Sequence, residues 1–329
     1  MALRAALAAG EAPYGLAVTA RNLWYEHRQD AVQRVDVPVV SVGNLTVGGT
    51  GKTPMVKWIA RHFRQHSKRV AILSRGYGAE AGAKNDEALE LEQALTDVPH
   101  LQDRDRVASA RIAIEELEAE VLLLDDGFQH RRLGRDLDIV LLDATAPFGY
   151  EHLLPRGVLR EPISGLRRAH AVCLTRATSI SAAERDAIRQ RVHRIAPEVL
   201  WCEATHRPRT LLDKTEQQRP LSELHGQPVA AFCGIGNPAA FRKTLEDAGA
   251  NVVAWQEFPD HHNYSADDIR DLADKFASCP AATVVCTHKD LVKVQLEQLA
   301  DRPLQAVVVE IEFLAGEANL AKMLDSVSD

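Results

Sequence analysis

The sequence predicts an α/β protein: a P-loop NTPase-like α/β/α domain with a mostly parallel sheet, followed by a smaller second domain of the same class. Three observations lead there. Short β-rich runs alternate with helical patterns through the first two-thirds of the chain, the order that parallel strands with crossover helices produce. Those runs are near-continuous Val, Ile and Leu, as strands buried on both faces require. A glycine-rich segment ending in Gly51-Lys52-Thr53 sits at the first strand-to-helix junction.

Strands are expected over residues 37–44, 69–76, 120–127, 137–144 and 171–177, with helices over 54–65, 104–118 and 182–195. Around 205–220 the pattern loosens into THRPRTLLDKTEQQRP, polar and carrying Pro208 and Pro220, which reads as an inter-domain connection. A second series follows, with VAAFCGIGNP, NVVAWQEF, TVVCTHKD and AVVVEIEF separated by helical patterns. The expected divisions are an N-terminal helix over 1–28, a P-loop core over 29–204, a linker over 205–220 and a smaller α/β domain over 221–329.

With 329 residues, 46% hydrophobic and 26% charged, the chain is long and apolar enough for two packed domains. A net charge of −7 gives no electrostatic footprint for nucleic acid. The five cysteines form no C-x-x-C pair, and Cys173, Cys233 and Cys286 lie in apolar runs, so they read as small buried thiols in a reducing cytoplasm. No run approaches the roughly 20 apolar residues that span a bilayer. The N-terminus breaks its short apolar run with Glu11 and Pro13, unlike a signal peptide. Residues 13–28 place Leu16, Ala20, Leu23, Trp24 and His27 at helical spacing, with Arg21 and Arg28 nearby. That stripe fits a helix docked on a core, or one lying at a membrane surface.

The segment VVSVGNLTVGGTGKTP carries the first chemistry. Thr46, Val47, Gly48, Gly49, Thr50, Gly51, Lys52 and Thr53 form the candidate nucleotide-binding loop, with Thr46 where the G-x-x-x-x-G-K-[ST] pattern has glycine. Gly48, Gly49 and Gly51 let backbone amides close on phosphate oxygens. Lys52 is placed to reach the β- and γ-phosphates, and the Thr53 hydroxyl to ligate Mg²⁺. In LLLDDGFQH, an apolar strand ends in Asp125 and Asp126, as a Walker B element does; one carboxylate suits the Mg²⁺ shell and the other suits orienting Lys52 or a water. Gln129 and His130 extend that motif without an assignable role.

These motifs imply an NTPase or a kinase and do not choose between them. A kinase also needs a group that receives or orients the acceptor proton. Asp86 and Glu87 of KNDEALE, and Asp260, His261 and His262 of FPDHHNY, are candidates, although both stretches also suit solvated loops. The competing class is a nucleotide-switched protein, a GTPase or ATPase of the metallochaperone kind. THKD superficially resembles a guanine-reading N-K-x-D but lacks its spacing.

Taken in order, VVSVGNLTVGGTGKTP, LSRGYG, NDEA, LLLDDGFQHRRL, LLPRGVLREP, AFCGIGNPAAF, FPDHHNYS and THKDLVK resemble the tetraacyldisaccharide 4′-kinase family of Gram-negative bacteria, from about Tyr14 to about Ile311. The threonine in GNLTVGGTGKTP is characteristic of that family. The resemblance implies transfer of the ATP γ-phosphate, with Mg²⁺, to the 4′-hydroxyl of an acylated glucosamine disaccharide 1-phosphate in lipid A synthesis. It implies a peripheral enzyme at the cytoplasmic face of the inner membrane, and two α/β/α domains joined by a two-stranded linker near residues 202–212 and 307–313; no obligate protein partner is inferred. Carried onto this chain, Asp86 and His261 are the catalytic pair, and Asp125 with Thr53 holds the metal. Gln129 and Glu161 are further metal candidates, and Arg75, Tyr77 and Arg160 lie near the acceptor. The family's G-D-E-P reads N-D-E-A here, with Asn85 and Ala88 replacing glycine and proline, and its T-E-K-D reads T-H-K-D with His288. The resemblance also favours the interfacial reading of residues 13–28.

Overall fold

The aliphatic runs fold into parallel strands with every residue of β1 (Val39–Asn44), β2 (Val70–Ser74) and β4 (Val121–Asp125) buried. The structure, a computed structural model, describes residues 2–76 and 86–328. Among these, 2–76, 95–206 and 311–328 form one compact unit, and 86–94 with 207–310 form another.

In the first unit the strand order is β3 (His100–Gln102), β2, β4, β1, β5 (Leu137–Asp143), β6 (Ala171–Thr175), β7 (Leu200–Leu212), and every pairing is parallel. The register matches Val42 with Asp125, so β1 and β4 end side by side. The turns after them therefore open on the same edge of the sheet, where α/β proteins place their ligands. Helix α2 (Lys52–Gln65) leaves β1 with Val56, Ile59, Ala60 and Phe63 buried, an i, i+3, i+4, i+7 stripe that seats it on the sheet. Helix α4 (Arg106–Glu115) covers a cluster with Ala71, Leu73, Leu122 and Leu124, and α5 (Ala182–Ile195) seats Val192 in a second cluster with Val140, Leu142, Val172 and Leu174.

The second unit orders β10 (Asn251–Glu257), β9 (Pro228–Cys233), β11 (Thr283–Thr287) and β13 (Arg302–Ala315), again parallel. Alternate residues of β9 face opposite layers. Ala230 and Phe232 meet Leu272 and Phe276 of α7 (Ala266–Ala277) and Leu291 of α8 (His288–Val294), while Val229, Ala231 and Cys233 meet Phe241 and Leu245 of α6 (Pro238–Asp247). The short β8 (Gln218–Pro220) and β12 (Gln298–Leu299) pair antiparallel with β7 and β13. Helix α3 (Asp86–Ala94) packs on α8.

The unit boundaries differ from those read in the sequence. Residues 205–220 are mostly strand: over 206–210 β7 alternates half-buried and exposed positions, so its composition is as polar as a linker's. The chain leaves the first unit within β7 and returns within β13, so α9 (Glu317–Ser328) belongs to the first unit and α3 to the second. No local pattern reports such a return.

Helix α1 (Ala2–His27) is held to the first unit by the buried Val18, by the close approach of Gly10 and Gly15 to Pro155 and Leu153, and by polar contacts. Leu153 N donates to Glu11 at 2.9 Å, Tyr14 OH to the Arg160 carbonyl at 2.8 Å, and Arg131 to the Asn22 carbonyl at 2.8 Å. Its outward stripe is apolar, running through Ala9, Ala12, Pro13, Leu16, Ala17, Ala20, Leu23 and Trp24, with Leu16 73% exposed. No described helix is long and apolar enough to cross a membrane.

Gly43 sits where β1 meets the turn after β4; a Cβ there would lie 2.6 Å from Phe128 Cβ and 2.8 Å from its amide nitrogen. Gly43→Ala should lower the unfolding free energy by about 1–3 kcal/mol, the usual cost of overpacking a core. The urea midpoint measures this, and an unchanged midpoint would contradict the packing described.

Candidate functional site

The loop between β1 and α2 is built in two halves. Its first half is extended: Thr46 forms a β-bridge with Leu159, Arg160 N donates to the Leu45 carbonyl at 2.7 Å, and Val47 N to the Val158 carbonyl at 2.8 Å. An extended residue needs no glycine, which explains Thr46 physically. The turn comes later, at Gly48 with φ +106° and Gly51 with φ +86°. A Cβ on Gly48 would meet nothing within 4 Å, whereas one on Gly51 would lie 2.1 Å from His206 Nε2. Side chains then secure the turn: Arg176 donates to the Gly49 carbonyl at 2.9 Å, Thr175 Oγ1 to the Thr50 carbonyl at 2.8 Å, and Asn44 Nδ2 to Thr50 Oγ1 at 2.9 Å. Arg176 is itself paired with Asp143.

Lys52 and Thr53 open α2 immediately after this turn, so the helix N-terminus faces the loop. Lys52 Nζ lies 3.7 Å from Asp126, and Arg160 binds the same carboxylate through two hydrogen bonds of 2.8 Å. Asp126 adopts a left-handed backbone, φ +53°. Burial alone would raise its pKa, but the Arg160 hydrogen bonds and the charges of Lys52, Arg160 and Arg106 hold it well below the usual carboxylate range. The buried Arg106 donates to the carbonyls of Asp125 and Asp126 at 3.3 and 3.2 Å, fixing the end of β4.

Asn44, fully buried, joins the parts: its side chain also accepts from Arg160, and its carbonyl accepts from Gln129 at 2.8 Å. Gln129 donates as well to Glu161 at 2.9 Å. Glu161 is 0% exposed, and its other oxygen accepts from Arg168 at 2.7 Å and Asn22 of α1 at 3.2 Å. The Glu161 oxygens and the Gln129 amide nitrogen bind α1, Arg168 and β1 together, while Gln129 Oε1 is buried without a hydrogen-bond partner among the described residues. Arg160, expected near an acceptor, is paired with Asp126. Arg75 is exposed just beyond β2, and Tyr77 lies outside the described residues.

The second unit holds His261. Its backbone is left-handed, φ +59°; its amide donates to the Gly234 carbonyl at 3.1 Å, and its Nε2 lies 3.9 Å from Asp260. The loop is fastened from below by Asp290, fully buried, which accepts from Gly234 N at 3.1 Å, Tyr264 OH at 2.8 Å and Thr287 Oγ1 at 2.6 Å. Burial raises the Asp290 pKa against those hydrogen bonds. Lys293 donates to the His262 carbonyl at 3.1 Å, and His262 stacks on Phe258 at 4.6 Å. The Asp and Lys of THKDLVK therefore brace the FPDHHNY loop. Asp86 begins α3 in this unit, and its side chain lies outside the described residues.

Comparison with known proteins decides the family. The family model for tetraacyldisaccharide-1-P 4′-kinase (LpxK) matches residues 3–329. The chain belongs to this family. Tetraacyldisaccharide 4′-kinase of Anaeromyxobacter dehalogenans is 41% identical over 95% of this chain and 87% of its own. That of Geobacter sulfurreducens is 38% identical over 99% and 94%. The crystal structure of LpxK from Aquifex aeolicus in complex with ATP superposes with a TM-score of 0.80 at 30% identity, covering 99% of this chain and 100% of that one. Membership makes the chain an enzyme of the kinase class, and the nucleotide-switch alternative is the less supported reading.

Within this family framework, several residues that organise the loops carry no motif signal. Asn44 was legible only as a polar residue ending an apolar strand. Arg106, Thr175, Arg176 and His206 come from distant segments, and Asp290 was legible as part of the THKDLVK motif but without its bracing role. His206 is the testable one. Burial first, then the charge of Arg176, lowers its pKa from 6.5 to about 4. Between those values the unfolded chain binds the proton and the folded one does not, so stability falls as pH drops from 6.5 towards 4. His206→Gln should flatten that part of the urea-midpoint profile; an unaltered slope would contradict a half-buried neutral ring under Gly51.

Proposed function

We propose that this chain transfers the γ-phosphoryl group of ATP to the 4′-hydroxyl of an acylated glucosamine disaccharide 1-phosphate, at the cytoplasmic face of a bacterial inner membrane. The observation that carries this is the glycine turn at 48–51 delivering Lys52 to Asp126, in a chain whose family is named for that reaction. The open side of Gly48 and the N-terminus of α2 suit a polyphosphate. Thr53 in the first turn of α2 and Asp125 at the end of β4 offer hard oxygen donors, which fits Mg²⁺. Bound there, Mg²⁺ supplies charge neutralisation on the phosphates.

The remaining work belongs to the chain's own groups. Asp126 holds Lys52 extended towards the loop, and Arg160 keeps Asp126 ionised. Asp86, with His261 as its partner, receives or orients the acceptor proton while the 4′-oxygen bonds to the γ-phosphorus and the bond to the departing ADP oxygen breaks. The exposed apolar stripe of α1, flanked by Arg21 and Arg28, suits a lipid surface with anionic headgroups.

Incubation with ATP, Mg²⁺ and the tetraacylated disaccharide 1-phosphate should yield the 1,4′-bisphosphate; folded protein giving none would overturn the reading. Asp86→Ala should reduce turnover by about 10²–10⁴-fold while ATP affinity stays nearly unchanged. Collapse of ATP affinity would instead place Asp86 in the metal shell. Leu16→Glu, at an exposed position, should weaken co-sedimentation with anionic vesicles without lowering ATP affinity, and equal sedimentation would return α1 to a purely structural role.

A further inference from the structure

At the far end of α2 from the phosphate loop, three side chains converge that the proposed chemistry does not use. His62 and His66 stand one turn apart, and Asp325 faces them from α9. His62 Nε2 lies 2.7 Å from Asp325 Oδ1, and His66 Nε2 lies 4.0 Å from the same oxygen. All three candidate ligand atoms fall within 4.8 Å of one another, and this is the one such cluster among the described residues.

The tautomer of His66 favours ligation. His66 Nδ1 lies 2.8 Å from the His62 carbonyl, which can only accept, so Nδ1 carries the proton and the neutral ring keeps its lone pair on Nε2. A metal-bound histidine is oriented in this way, by donating its other N–H to a carbonyl. His62 is further confined by Trp58, stacked at 5.7 Å, and by the edge of Phe63 at 5.7 Å. Tetrahedral bonds of about 2.0–2.1 Å need ligand atoms roughly 3.3 Å apart. The 2.7 and 4.0 Å separations bracket that value, and the half-exposed His66 has room to close the difference.

We propose that His62, His66 and Asp325 bind a divalent ion of the Zn²⁺ class, with water at the fourth position, and that the ion clamps α9 onto α2. Two imidazoles and one carboxylate suit borderline divalent ions better than Mg²⁺ or Ca²⁺, which prefer all-oxygen shells. A proton now bridges His62 and Asp325 where the ion would sit. The neighbouring contacts already bring the C-terminal segment to the helix: Lys68 donates to the Ser328 carbonyl at 2.6 Å, and Trp58 packs on Phe313 at 4.9 Å. Metal ligation would make this attachment depend on ion supply, on the helix that begins with Lys52 and Thr53.

The test uses the full chain without a histidine tag, stripped by chelator and titrated with Co²⁺ while visible ligand-field absorption is followed. One equivalent should bind, Zn²⁺ should displace it, and Zn²⁺ should raise the Tm. His66→Ala and Asp325→Asn should each weaken Co²⁺ binding about tenfold or more and abolish the Tm shift, with the metal-free Tm of the exposed-site variant His66→Ala unchanged. Absence of saturable Co²⁺ uptake, or uptake and Tm shift equal in both variants and the parent, would show a plain His–Asp ion pair and overturn the proposal.

Discussion

The carboxylate of Asp126 is the interaction on which the phosphate loop depends. Lys52 and Arg160 meet on it, and Arg106 fastens the strand end that presents it. Without its negative charge those three cations would repel one another at the place where the loop must turn. With it, the end of β4, the start of α2 and the 158–160 segment become one body, and Asn44 ties the same segment to Thr50. The loop's glycines can then adopt conformations that would otherwise cost backbone entropy, because the surrounding side chains over-determine them.

The second unit repeats this logic with a different anchor. Asp290 is buried and gathers Gly234, Tyr264 and Thr287, so the loop carrying His261 is suspended from a hydrogen-bonded carboxylate rather than from packing alone. In both units an acidic residue just past a strand sets the shape of loops from other parts of the chain. Glu161 does the same for α1, and through Gln129 it connects that helix to the end of β1.

How much was readable in advance follows from the range of each interaction. The parallel sheets, the glycine turn, Lys52, Thr53 and the Asp125-Asp126 pair are encoded in contiguous residues, and their context in strand and helix is local as well. Thr46 was legible as a departure but not as a cause, since the β-bridge to Leu159 joins segments far apart in sequence. The same distance hid Arg176 beneath Gly49 and His206 beneath Gly51. Glu161 was a metal candidate through the family resemblance alone, and its enclosure by Gln129, Arg168 and Asn22 joins segments far apart in sequence. The return of α9 to the first unit had no local signature, because a covalent path through β7 and β13 leaves no mark on composition.

Lys52 and Asp126 meet across the phosphate loop, and a double-mutant cycle in ATP-dependent phosphorylation of the disaccharide lipid measures their coupling directly. If Asp126 serves to position Lys52, Lys52→Met and Asp126→Asn will each lower kcat/KM, and the double variant will be little worse than the poorer single one. Losses that simply multiply would mean the two side chains act independently, and would contradict the central claim.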